Sequence, residues 1–169
     1  MNLHNIYVLL IQGYMGKSHY EQGGGVNYLC LPTDPEFSIN AESGYQTGAY
    51  IYGVEYEPFV SSKFFADEDD QDVPCAVCEV NGRSKLMMIP AKYSCPDSWT
   101  EEYDGFLVSE SHSGRSSEFV CVSSGMESVA SGVDNVNGGA VFVVEAVCGP
   151  LPCPHYVDGY ELSCVVCTK

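Results

Sequence analysis

The sequence predicts an all-β, disulfide-rich chain built as a tandem duplication of one β-sheet subdomain, the two copies related by a pseudo-twofold axis. Three observations carry that reading. No window of the 169 residues shows a sustained apolar stripe at helical spacing, whereas Gly48 to Tyr56 alternates aromatic and aliphatic residues as a half-buried strand does. Glycine, proline and asparagine punctuate the chain, among them the hairpin-type pair Asn81-Gly82. Landmarks of the first half also return in the second, and a repeat of this kind outranks local propensity as a guide to architecture. Cys75 and Cys78 recur as Cys164 and Cys167 at an offset of 89. Tyr28-Leu29-Cys30-Leu31 recurs as Phe119-Val120-Cys121-Val122, and Gly48-Ala49 as Gly139-Ala140, both at 91. Gly13-Tyr14 recurs as Gly105-Phe106 at 92, and Ser18-His19 as Ser111-His112 at 93. The copies span residues 1–92 and 93–169 and are expected to form one intimate unit.

Taken in order, residues 6–14 read as an apolar strand ending at Gly13. A polar loop follows from Gly16 to Gly25, with His19, Tyr20 and three consecutive glycines that allow positive φ or close approach. Asn27 to Leu31 is a strand stopped by Pro32-Thr33-Asp34-Pro35, and Gly48 to Tyr56 is the next. After an acidic loop from Ser61 to Asp72, Cys75 to Val80 and Lys85 to Ile89 read as strands joined by the Asn81-Gly82 turn. Beyond the Cys95-Pro96 turn come Gly105 to Ser109, Phe119 to Ser123 and Ala140 to Val147. A Pro-rich loop from Gly149 to Tyr160 leads to the last strand, around Cys164.

Composition narrows the function. Seven basic residues against 23 acidic ones give a formal net charge of −16. Nucleic acid and anionic membrane surfaces both need a basic face, so neither is an expected partner. No segment is long enough to span a bilayer, so no membrane insertion is expected. Tyr7 to Ile11 is too short and lacks the basic flank of a signal peptide, so it reads as a strand of a mature chain. Nine cysteines in a loop-rich chain suit an oxidising, extracellular location. No Asn-x-Ser/Thr sequon is present, so N-glycosylation is not expected.

The odd cysteine count has an address. Cys95 stands ten residues before Gly105, but Leu3 stands ten before Gly13, so the first copy lacks its opening cysteine. Cys148 and Cys153 occur only in the second copy. Cys75-x-x-Cys78 and Cys164-x-x-Cys167 admit a thioredoxin-like or half-zinc reading, yet a redox site needs a βαβ setting and a helix N-terminus. Structural disulfides are the better reading. Asp67-Glu68-Asp69-Asp70 with Asp72 has the charge to attract Ca²⁺ but lacks the EF-hand glycine and closing glutamate, which favours a solvated loop. His19 and His112 are either surface loop residues or members of two quasi-equivalent ligand sites. No nucleophile elbow or orienting acid accompanies them, so no enzyme is expected.

The residues Cys75-Ala76-Val77-Cys78-Glu79, Ile89-Pro90, Cys95-Pro96, Trp99, Gly105-Phe106 and Cys164-Val165-Val166-Cys167 resemble the tandem-repeat non-collagenous domain that ends type IV collagens. That likeness is remote and confined to the cysteine landmarks. A nearer one covers almost the whole chain and points to spongin-type, short-chain collagen-like proteins of sponges and other invertebrates. It rests on Tyr28-Leu29-Cys30-Leu31-Pro32, Tyr52-Gly53-Val54-Glu55-Tyr56 and Pro74-Cys75-Ala76-Val77-Cys78. The chain departs in lacking any Gly-x-y repeat, hence any triple helix, and in lacking the opening cysteine. What remains is similar to the soluble sponge lectins of comparable size that recognise N-acetylated sugars.

The resemblance implies nested bonds within each copy: Cys95 with Cys167, Cys121 with Cys164, Cys148 with Cys153, and Cys30 with Cys75. Cys78 is left without a partner in its own chain, as a buried thiol or bonded to another subunit. It also implies a homo-oligomeric lectin for glycans or glycoproteins carrying N-acetylhexosamines such as N-acetylglucosamine, with no cofactor and no metal. The contacts expected are Tyr14, His19 and Tyr20 in the first copy and His112, Asp134, Asn135 and Asn137 in the second. Aromatic faces support a pyranose ring while amides and carboxylates bond its hydroxyls. The 12 tyrosines fit that chemistry, although cross-strand tyrosine pairs stabilise sheets by themselves. Trp99 reads as core. An extracellular-matrix assembly module and a disulfide oxidoreductase are the competing functions.

Overall fold

The computed structural model describes residues 7–45, 48–57, 70–129 and 138–169. Nine strands are formed among them and no helix: β1 (Tyr7–Lys17), β2 (Leu29–Pro32), β3 (Tyr52–Tyr56), β4 (Pro74–Val80), β5 (Leu86–Pro90), β6 (Thr100–Ser109), β7 (Val120–Ser123), β8 (Gly139–Val143) and β9 (Ser163–Thr168). The sheet runs β2-β1-β3-β8-β6-β9-β5, with β4 also on β1 and β7 also on β6. Every pair is antiparallel except β3 with β8, which run parallel with Glu55 opposite Ala140.

That parallel seam carries the core. Val54, Tyr56, Val73, Val108, Val122 and Val141 are buried in one cluster where β3, β8 and β6 meet. β-Branched valines suit it, because their restricted χ1 fits a pleated surface at little entropic cost. Tyr56 brings a polar handle inside and satisfies it by donating to the Glu127 carbonyl at 3.1 Å.

Two arrangements of strands share one pairing plan. Gly13 of β1 lies opposite Pro32 of β2 and Cys75 of β4; Gly105 of β6 lies opposite Ser123 of β7 and Cys164 of β9. Both glycines are demanded by close approach. A Cβ on Gly13 would stand 1.7 Å from the Leu31 carbonyl oxygen, and one on Gly105 would stand 1.8 Å from that of Val122. Disulfides Cys30–Cys75 and Cys121–Cys164 then tie β2 to β4 and β7 to β9. Cys30 and Cys121 thus sit on strands with matching partners.

Strand extents depart from the periodicity reading mainly at ends. β1 continues to Lys17 and β6 begins at Thr100, because each has partners along its whole length. The expected Asn81-Gly82 hairpin does not form. Gly82 takes φ +76° in a turn, but β4 pairs with β1 while β5 crosses to β9, with Met88 opposite Val166. The turn is a local preference, and the β9 edge offers β5 a run of buried partners that β4 does not. The acidic residues 67–69 and most of the Ser131 to Gly139 loop lie outside the described residues.

Candidate functional site

Two further disulfides complete the framework, Cys95–Cys167 and Cys148–Cys153, so the four bonds join the cysteines in the pairs that the resemblance implies. Neither Cys-x-x-Cys closes on itself. Both motifs lie on strands, where residues three apart point to opposite faces, so they lack the helix N-terminus of a redox dithiol. Cys78 is unbonded and exposed, which removes the buried-thiol alternative. It lies on β4, whose one strand partner among the described residues is β1. Four intramolecular disulfides fit an oxidising environment, and no helix among the described residues is long and apolar enough to cross a membrane.

The loops of the first half meet those of the second around a buried ion pair. Lys17 ends β1 and Glu110 follows β6; their charged ends stand 2.5 Å apart with both side chains 2% exposed. Lys17 also donates to the Ala140 carbonyl at 3.3 Å and lies 5.4 Å from the Tyr28 ring centroid. A buried charge without its partner costs several kcal/mol, so each residue of the pair fixes the other. The Lys17 stem runs along Gly139, where a Cβ would come within 2.5 Å of it. Burial pushes the Tyr28 phenol up to about 12, and its hydroxyl meets Ser117 Oγ at 2.9 Å.

Backbone bonds stitch the same junction. Arg115 donates to the Tyr20 carbonyl at 2.9 Å, Glu118 to that of Val26 at 3.0 Å, and Tyr20 to that of Gly138 at 3.2 Å. These contacts frame a cavity of about 430 Å³. Its polar lining includes Glu21, Glu55, Glu57, Glu110, Ser111 and Ser113, and Tyr20 and Phe142 supply aromatic surface.

Of the residues expected to bind, Tyr20 lines this cavity and His19 stacks on it, ring centroids 4.5 Å apart, with its other side edge-on to Tyr52. His19 Nδ1 accepts from the Glu21 amide at 3.1 Å, so a neutral ring carries its proton on Nε2. His112 is exposed between two lining serines, Ser111 and Ser113, but is not itself a lining residue. Tyr14 is elsewhere. It borders a separate hollow of about 370 Å³ with Met15, Leu31 and Asp72. Asp134, Asn135 and Asn137 lie outside the described residues, immediately before the lining segment Gly138 to Ala140.

Sequence reasoning missed Glu55, Glu57, Glu110 and Phe142. No local signal marked them: Lys17 fell in the polar loop that starts at Gly16, and its partner Glu110 stands 93 residues away. Among the described residues no three His, Cys, Asp or Glu side chains are poised to hold one metal ion. The fold and site thus define an all-β, disulfide-tied chain with an acidic cavity among its described residues. Comparison with protein-family models, curated proteins and solved structures finds no match to this chain.

Proposed function

We propose that this chain is a non-enzymatic, secreted lectin for N-acetylated hexosamines, a soluble relative of the spongin-type collagen-like proteins, arisen by duplication of one β-sheet unit. The observation that carries the function is the composition of the 430 Å³ cavity: carboxylates and serine hydroxyls lining it together with Tyr20 and Phe142. Carboxylates accept from ring hydroxyls and from an acetamido N–H, a serine hydroxyl donates to the acetamido carbonyl, and an aromatic face supports the apolar side of the ring. A sugar lacking the acetamido group leaves such partners unpaired, which is how the site would discriminate. The duplication is supported by the matched pairings of Gly13 and Gly105 and by the matched disulfides at Cys75 and Cys164.

Calorimetric titration with N-acetylglucosamine oligomers, with glucose oligomers as control and a chelator present throughout, tests the reading. Binding of the acetylated series alone is expected. Tyr20→Ala, or His19→Ala with His112→Ala, should weaken it about tenfold while the chain stays folded, since these loop side chains carry little core. No binding to any N-acetylated oligomer would overturn the lectin reading. Retained affinity in both variants would move the site away from this cavity. The matrix assembly module is the second reading, favoured by the open β4 edge, and it predicts self-association with no response to sugar.

A further inference from the structure

β4 and β9 hold corresponding places in the two pairing plans, yet only β9 is closed. β9 lies between β6 and β5 and its second motif cysteine, Cys167, is bonded to Cys95; Cys164, Val165 and Cys167 are fully buried. β4 pairs with β1 alone among the described residues, and its second motif cysteine, Cys78, is free and exposed. The ribbon that β1 and β4 form projects apolar side chains into solvent: Leu9 is 56% exposed, Leu10 58% and Val77 40%. Open edges in natural sheets are normally blunted by lysine, proline or inward charge. β4 has Pro74 at its start and Glu79 near its end, but the stretch between them, Cys75 to Cys78, carries no charge and no proline.

We propose that this edge is closed by the β4 edge of a second copy of the chain, in an antiparallel pair centred on Cys78 and locked by a Cys78–Cys78 disulfide. A twofold pair has one residue that faces itself. With Cys78 there, Val77 lies opposite Glu79 of the other copy, Ala76 opposite its Val80, and the two Glu79 carboxylates do not confront each other. That matters for two copies of −16 each. The occupant is identified by the chain itself, because β5 on β9 shows a strand closing the corresponding edge, and four bonds among nine cysteines leave one thiol per copy. Bond formation is a two-electron oxidation. Both thiols lose their protons, one S–S bond forms, and a small disulfide oxidant such as oxidised glutathione takes up the two electrons and two protons as two thiols. The dimer stands independently of what the cavity binds.

The full chain equilibrated in a glutathione redox buffer and run on a non-reducing gel, with thiol titration in denaturant, tests the bond. A covalent dimer with no titratable thiol is expected, and Cys78→Ser should abolish it. Sedimentation of the Cys78→Ser chain then tests the register. Adding Val77→Asp, which faces Glu79 of the other copy, should weaken residual pairing at least tenfold, and adding Val77→Lys should preserve or tighten it. A monomer with one free thiol per chain in the oxidising buffer would overturn the proposal. So would a dimer that ignores both Cys78→Ser and the sign of the charge at 77.

Discussion

The same four-residue pattern, cysteine-aliphatic-valine-cysteine, is solvent-exposed through most of its length in β4 and wholly buried in β9. Local sequence cannot be the cause. The difference lies in neighbours: β5 flanks β9, Cys95 reaches back to Cys167, and Trp99 sits half-buried beside that bond's loop, whereas β4 has β1 on one side only. Burial in a sheet is thus conferred by the strand next door. Stability should follow it, concentrated around β6 and β9 and thin along the outer β1–β4 ribbon.

The sharpest way to break this comparison is to place one carboxylate at the two corresponding positions. Val166 is 8% exposed and Val77 40%. Val166→Asp would bury a charge with no partner, a cost of several kcal/mol that rivals the stability of a small domain and should leave the chain unfolded. In the Cys78→Ser chain diluted to a monomer, Val77→Asp should change stability by no more than about 0.5 kcal/mol, as exposed substitutions do. Urea midpoints of the two variants under non-reducing conditions check the contrast.

A smaller effect sharpens the comparison at Tyr28 and at Phe119, 91 residues further on. Tyr28 is packed at the junction of the halves, while Phe119 is 57% exposed. Burial favours the neutral phenol of Tyr28, so its stabilising contribution is complete below its ordinary value near 10 and is lost as pH rises through about 12. On the acid side Glu102 behaves oppositely. Burial alone would raise it, but hydrogen bonds from Thr168 and Tyr7 and the Arg83 guanidinium outweigh that and hold its carboxyl below the usual range. Its contribution is present above the ordinary carboxylate value and is lost as pH falls beneath it. Burial also raises Tyr103, and the hydrogen bond to Glu102 raises Tyr7, so ultraviolet titration should show a late-ionising group of tyrosines from which Tyr28→Phe removes one.

Much of the fold was legible in the sequence for identifiable reasons. Apolar runs and, from Gly48 to Tyr56, period-two alternation located the strands, and glycine and proline located the breaks. The repeat offsets matched Gly13 with Gly105, where close backbone approach demands glycine, and Cys30 with Cys121, each bonded across its sheet. Strand partners were less legible. Asn81-Gly82 announced a turn, but a turn does not say whether the next strand folds back or crosses to β9. The site was legible only in part. His19, Tyr20 and the loop around His112 are marked by composition, whereas Lys17 and Glu110 are 93 residues apart and nothing local to either names the other. Glu55 faces the cavity from β3 because β3 runs parallel to β8, a pairing that no periodicity encodes.

Hydrogen exchange on the Cys78→Ser chain, its four disulfides intact and its concentration low enough to hold it monomeric, resolved to peptides covering 74–80 and 163–168, compares the two strands most directly. With β1 on one side only, about half of the β4 amides should exchange orders of magnitude faster than those of β9, which should be protected up to the limit set by global unfolding. Equal protection of the two segments in the monomer would contradict the account, for it would mean that β4 is closed within its own chain.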